Sequence, residues 1–190
     1  MLKYSPKKFI NAILFFAHKT DPKKLGILKL NKLLYYSDFE HYKKYGRSIL
    51  GDIYVRMDNG PVPSISYNFY NAAIKHDSND SISKELRSSI EICPTRVIDF
   101  IRDSIHPKKD FDINLFSESE IEIMEKIAKK YKTTTGTAMS EETHKEDTPW
   151  SKTAKMQPID YKLALDENSV SEDYIKFCKQ QEKEIEEIFS

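Results

Sequence analysis

Apolar residues recur at helical spacing along most of the chain and at strand spacing in one short stretch. Near the start, Ser5-Pro6 marks a helix N-terminus, with the serine as N-cap and the proline at the first helical position, where its missing N–H costs nothing. Phe9, Ile10, Ile13, Phe16 and Ala17 then share one face. Asp21-Pro22 opens a linker. In the next helix Ile27, Leu30, Leu33 and Leu34 form the apolar stripe, and the helix stops near Gly46. Lys29 and Lys32 fall outside that stripe and, with Lys43 and Lys44, predict a solvated basic face.

After Gly51 the period shortens to two. Ile53, Val55 and Met57 alternate with Tyr54, Arg56 and Asp58, the pattern of a half-buried antiparallel strand, and Asn59-Gly60-Pro61 turns the chain. Pro63-Ser64 open a helix with Ile65, Phe69, Ala72 and Ala73 inward, and His76 to Ser81 form a polar loop. In Ile90 to Ile105, Val97, Ile98, Phe100, Ile101 and Ile105 fit a helix. The β-branched content and the Cys93-Pro94 break instead favour one or two strands able to pair with 52–58. Ser117 and Glu120 are spaced as a capping box for a helix burying Ile121, Met124, Ile127, Ala128 and Tyr131. A Thr-rich connection, Thr133 to Ala138, leads to a short helix ending at His144. Ser171 caps the last helix, which places Tyr174, Phe177, Cys178, Gln181, Ile185 and Ile188 on one side and Glu182, Glu184, Glu186 and Glu187 on the other.

The pattern predicts an α+β fold: a mainly helical single domain over residues 1–190, with a core at about 8–165, a small antiparallel β-sheet and a C-terminal helix at about 171–189. The 190-residue length suits one domain with a real core. A hydrophobic share of 39% with 12% aromatics argues against disorder. Thirty basic residues cancel thirty acidic ones, so net charge gives no reason to expect nucleic acid. The charge is unevenly placed, however. Residues 1–50 hold eleven Lys or Arg against three Asp or Glu, and residues 161–190 hold four against eight. Cys93 and Cys178 are far apart and lack C-x-x-C spacing, which fits reduced thiols rather than zinc or a disulfide framework. The N-terminus lacks a secretory pattern, and the apolar run Ile10 to Ala17 is too short to span a bilayer. These features predict a soluble cytoplasmic protein with no membrane partner.

Motifs for chemistry are sparse. No phosphate-loop, dinucleotide, nucleophile-elbow or H-E-x-x-H pattern occurs, and five glycines leave little material for a phosphate cradle. His144-Lys145-Glu146-Asp147 sets an imidazole beside two carboxylates, the minimum for acid–base work. His18, His41, His76 and His106 show no paired spacing with it, so no metal or cofactor is expected. The plainer reading has His144 hydrogen-bonded to backbone at a helix end and Trp150 filling the core. Eleven tyrosines are a high share, and tyrosine serves both cores and interfaces. Tyr35 and Tyr36 are neighbours and cannot both point inward. A partner-binding face is therefore expected from Tyr35, Tyr36 and Tyr42 with the basic Lys32, Lys43 and Arg47.

Two islands carry a resemblance. The first runs Lys29-Leu30-Asn31-Lys32-Leu33-Leu34-Tyr35-Tyr36-Ser37-Asp38 and closes on Gly60-Pro61-Val62; the second is Thr143-His144-Lys145-Glu146-Asp147-Thr148-Pro149-Trp150. In order and spacing they resemble the Panacea (SocA-like) antitoxin domain, a family of bacteria, phages and mobile elements. Lys29, Leu30, Leu33, Leu34, Gly60, Pro61, Val62, His144 and Trp150 match its motif. The resemblance implies a non-enzymatic antitoxin that binds a co-encoded toxin protein. Neutralisation then proceeds by occlusion or by delivery to an ATP-dependent protease, and oligomeric state is left open. The competing class is a nucleic-acid-associated regulator using the basic first fifty residues and their interleaved tyrosines, although no nucleic-acid motif is present. An enzyme is a distant third.

Overall fold

The structure, a computed structural model, describes residues 3–75, 80–97 and 100–188, with the side chains at 95–97, 100–102, 182, 185, 186 and 188 excepted. Two helices form its centre. In α1 (Pro6–Lys19) the Ser5 side chain accepts from the Lys8 N–H, as the Ser-Pro start predicts, and the end is closed by Thr20, whose hydroxyl donates to the Phe16 carbonyl at 2.8 Å. Ala12, Leu14 and Phe15 are buried along with the predicted face, because α1 has neighbours on several sides: the helices Ile27–Tyr45, Ser81–Ser89 and Glu118–Lys130 and the strand Phe100–Pro107.

Helix α2 (Ile27–Tyr45) is covered even more completely. It ends where Gly46 takes a left-handed φ of 72° and returns its N–H to the Tyr42 carbonyl. Lys29 and Lys32 are buried beside Leu30, Leu33 and Leu34, which corrects the expected solvated face for these two. The sides of α2 that carry them are covered by α5 (Glu118–Lys130), α6 (Gly136–Thr143), β2 (Gly60–Pro63) and the 161–164 turn, whatever the hydropathy pattern suggests, while Lys44 stays exposed and Lys43 half-buried.

Strands β1 (Tyr54–Met57) and β2 (Gly60–Pro63) form an antiparallel hairpin in which Met57 faces Gly60. Gly60 carries the positive φ, 99°, that the tight connection requires. A strand is therefore present within 52–58, but burial does not alternate as expected: Tyr54 is buried, Ile53 is exposed, and Val55, Arg56 and Met57 are half-buried. The opposite edge of β1 is met by 156–159, with the Ile159 N–H donating to the Tyr54 carbonyl at 2.7 Å. Strands β3 (Ile90–Val97) and β4 (Phe100–Pro107) pair with each other and not with β1, correcting the expected single sheet. The sequence readings at 76–79 and at Ile98 lie outside the described residues, as do those on the side chains of Val97, Phe100, Ile101, Glu182, Ile185, Glu186 and Ile188.

Around this centre, α3 (Ser64–Lys75) buries Ser66, Tyr70 and Ala73, leaving Ile65, Phe69 and Ala72 half-buried. Helix α4 (Ser81–Ser89), capped by the Asp80 side chain, goes unpredicted because its apolar positions are only Ile82 and Leu86. Helix α5 (Glu118–Lys130) carries the predicted capping box and buries Ile123 in addition to Met124, Ile127 and Ala128. Helix α6 (Gly136–Thr143) ends at His144, and α7 (Glu172–Ile188) completes an α+β, mainly helical fold. Among the described residues of α7 the buried one is Ile175, while the expected inward Tyr174 and Phe177 are 48% and 58% exposed.

Candidate functional site

The two sequence islands meet in space. Lys32, in the middle of α2, runs beneath the hairpin: its ammonium donates to the Pro61 carbonyl at 3.2 Å and is fully buried. A Cβ on Gly60 would lie 2.5 Å from Lys32 Cε and 2.8 Å from Thr143 Oγ1, so only glycine leaves room for this close approach. Thr143 in turn donates to the Ser140 carbonyl at 2.7 Å. Lys32, Gly60-Pro61 and Thr143 are thus one packing unit drawn from three distant segments. Burial alone pushes the Lys32 ammonium down to about 7.

Nearly two helical turns further, Asp38 organises a second buried cluster. Its Oδ1 accepts from the N–H groups of Ile49 and Leu50 at 2.8 and 2.9 Å, and its Oδ2 accepts from the Tyr54 hydroxyl at 3.0 Å. The Tyr161 hydroxyl lies 3.0 Å from the Asp52 carbonyl and 3.3 Å from Asp38 Oδ2. Asp52 accepts from the N–H groups of Ile53, Ile65 and Ser66, fixing the start of α3 to the hairpin. Burial raises the Asp38 carboxyl to about 7 and also raises Asp52, each against hydrogen bonds that favour the charged form. His41 is buried too. Its Nδ1 faces the Arg47 carbonyl at 2.6 Å and so carries the proton, leaving Nε2 to accept from Ser119 at 3.1 Å; burial lowers its basicity.

The second island is a compact loop on the rim of the core. His144 closes α6 through its backbone N–H, and its imidazole stacks on Trp150 with ring centres 4.0 Å apart. The Arg56 guanidinium lies 4.2 Å from the indole centre and also donates to the Thr153 carbonyl. The indole N–H donates to the Met57 carbonyl at 3.0 Å. Trp150 is therefore half-buried and clamps the island to β1, rather than filling the core as expected. The His144 imidazole is part of that stack, and neighbouring Lys32 and Arg56 add to burial in lowering its basicity. Among the described residues no group of three His, Cys, Asp or Glu side chains is placed to hold a metal ion.

A groove of about 560 Å³ opens between α2, this loop and 163–166, with Tyr36, Phe39, Pro149 and Leu165 in its wall and Lys43, Glu146 and Asp166 among its charged residues. Of the expected partner-binding face, Tyr36 and Lys43 are half-buried at this groove and Arg47 is exposed. Tyr35, Tyr42 and Lys32 are buried inside the fold and do not form a surface with them, since α2 is covered along those sides. Tyr35 packs on Phe39 and Tyr54, and Tyr42 on Tyr161. Part of the basic excess of the first fifty residues is matched by acids from later elements, in four ion pairs. Lys8 pairs with Glu120, Lys19 with Glu125, Lys44 with Glu122 and Lys43 with Asp166.

Asp38 was visible in the sequence only as a motif letter, although it lies four residues after Leu34 on the same helical stripe. Its partners Tyr54 and Tyr161 leave no comparable trace, because chain reversal brings them together.

A mainly helical scaffold whose motif residues hold its own segments together is the class defined so far. The family described as antitoxin SocA-like, Panacea domain, matches residues 30–151, and the chain belongs to that family. No curated protein and no solved structure matches the chain. Of the positions expected from the resemblance, Leu30, Leu33 and Leu34 on α2, Gly60, Pro61 and Val62 on β2, and His144 and Trp150 on the rim loop lie within the matched residues, and Lys29 lies just before them. No helix among the described residues is long and apolar enough to cross a membrane.

Proposed function

We propose that this chain acts as an antitoxin that neutralises a co-encoded toxin by direct protein–protein binding, without chemistry of its own, in the cytoplasm. The observation carrying this reading is the family match over residues 30–151. It is supported by where the motif goes: Lys32, Gly60, Thr143 and Trp150 are engaged in internal packing, which suits a scaffold for recognition better than a reaction centre. We take the chain as one domain, and the accessible Tyr36, Lys43 and Arg47 as the part of the basic aromatic face still able to meet a partner. The nucleic-acid reading is weakened, because many of the lysines it needs are already paired with carboxylates.

The test is co-expression of the chain with the protein encoded by the adjacent gene. Growth should be rescued, and the two purified proteins should co-elute as a complex. Absence of rescue and of a complex would sink the reading. Neutralisation by occlusion predicts that the toxin stays abundant in rescued cells. A short toxin half-life that lengthens when ATP-dependent proteases are removed would instead indicate delivery for degradation.

A further inference from the structure

Helix α7 starts twenty-one residues after the family-matched segment ends, and among its described side chains those that meet the rest of the molecule lie in its first two turns. Its root is well defined. The Val170 N–H donates to the Lys43 carbonyl at 3.1 Å, and Lys43 pairs with Asp166 just upstream. Ile175 is buried against the end of α2, where a Cβ on Gly46 would lie 3.3 Å from Ile175 Cγ1. Cys178 approaches the Tyr45 carbonyl. Beyond that point every described side chain from Lys179 onward is exposed.

Two aromatic residues stand on the outer side of this helix. Tyr174 and Phe177, one turn apart, have ring centres 6.3 Å from each other and are 48% and 58% exposed. The other large exposed hydrophobics of the described residues, Ile53, Ile113 and Met156, are scattered elsewhere. Around the aromatic pair the helix is acidic. From Glu172 to Glu187 the sequence holds six Asp or Glu against three Lys, and the pairs Lys176–Asp173 and Lys183–Glu187 run within the helix itself. A solvated helix needs no exposed Tyr–Phe pair at i and i+3, whereas a helix that lies in a partner's groove uses such a pair as its anchor.

We infer that α7 is a docking helix whose Tyr174–Phe177 ridge, flanked by carboxylates, seats in an apolar furrow on a basic protein surface, and that this surface belongs to the toxin. The charge selects the occupant. An acidic helix is attracted to a basic partner and repelled by an acidic one, and its aromatic anchors supply most of the affinity. This inference rests on the antitoxin reading and adds the surface and the charge of its partner.

The experiment uses the full-length chain and the purified product of the adjacent gene. The double variant Tyr174→Ala/Phe177→Ala removes the ridge, and Glu184→Lys reverses a charge at an exposed position outside the core. Thermal melting of both should match the parent, because neither changes a buried residue. The ridge variant should bind about thirtyfold or more weakly, as expected for losing a hot-spot anchor. Glu184→Lys should slow association several-fold at low salt, a difference that fades as salt is added. Parental binding in both variants would overturn the inference while leaving the antitoxin reading intact. Failure of the parent itself to bind would overturn that reading and this one with it. A ridge variant that keeps toxin binding but turns a parental dimer into a monomer would assign the helix to a second copy of the chain and also overturn the inference.

Discussion

Lys32 is a buried ammonium that donates to the Pro61 carbonyl and lies against Gly60, with burial the cause of its lowered affinity for the proton. The consequence is a pH dependence of stability with a definite sign. In the unfolded chain the ammonium keeps its proton up to about 10.5, and in the folded protein only up to about 7. Across that window the unfolded state binds more protons, so stability rises with pH. The cost of the buried charge is fully present below pH 7. Asp38 has the opposite slope: its raised carboxyl makes the folded state the better proton binder between about 4 and 7, so its contribution falls as pH climbs through that range. Buried tyrosines such as Tyr54 and Tyr161, raised well above their ordinary range, oppose stability again above about pH 10. Denaturant unfolding of the parent should therefore show higher stability at pH 9.5 than at pH 7. Lys32→Met should flatten that rise; an unchanged slope in the variant would mean that Lys32 is not the titrating group.

Trp150 gives a second residue-scale expectation. It is half-buried between α6 and β1, so Trp150→Ala should cost roughly 2–3 kcal/mol, below the 3–5 typical of a fully buried aromatic. Trp150→Phe keeps a ring for His144 to stack on and loses the hydrogen bond to Met57, a difference of about 1 kcal/mol from the parent. Melting curves of the two variants decide this: equal losses would mean that the hydrogen bond, and not the stack, holds the loop.

At the scale of elements, the β1–β2 hairpin depends on what lies below it. Gly60 has a φ of 99°, a conformation that side-chain-bearing residues adopt only with strain, and a Cβ added there would meet the end of the Lys32 side chain. Gly60→Ala should therefore destabilise by at least about 1–2 kcal/mol from the backbone alone, with the clash against Lys32 added. Substituting Lys32→Ala in the same chain should recover part of the loss, since the clashing atoms go with it. Losses that simply add in the double variant would show that the two residues are not coupled. Helix α2 makes the complementary point. Its apolar stripe is legible as Ile27, Leu30, Leu33 and Leu34, yet Lys29, Lys32, Asp38 and His41 are buried as well, because α5, α6 and the hairpin pack around it.

For the whole molecule, folding offsets part of the uneven charge of the sequence. Lysines of α1 and α2 lie against the acidic face of α5, where Lys8 meets Glu120 and Lys44 meets Glu122. A nucleic-acid partner would need those lysines free for phosphates, and the salt dependence of binding would count them. The chain should pass through a DNA or heparin column without retention at about 0.15 M salt. Retention eluted only by high salt would revive the nucleic-acid reading.

By itself the sequence determined the features that depend on neighbours along the chain. These are the Ser5-Pro6 start of α1, the Gly46 stop of α2, the Ser117–Glu120 capping box and the turn at Gly60. Each is local hydrogen bonding or backbone sterics, which a few residues settle among themselves. It also carried the family, because the order and spacing of the two islands survive without knowledge of their contacts. Only the tertiary structure decided which way those elements face. Tyr54 turns inward and Ile53 outward because the buried carboxylate of Asp38 offers a tyrosine hydroxyl an acceptor that hydropathy does not register. Strand β3 pairs with β4 instead of β1 because β1 already has a partner on each edge. Tyr35, Tyr42 and Lys32 leave the surface because later segments cover α2 beyond its apolar stripe, and burial there is decided by what the rest of the chain lays over it.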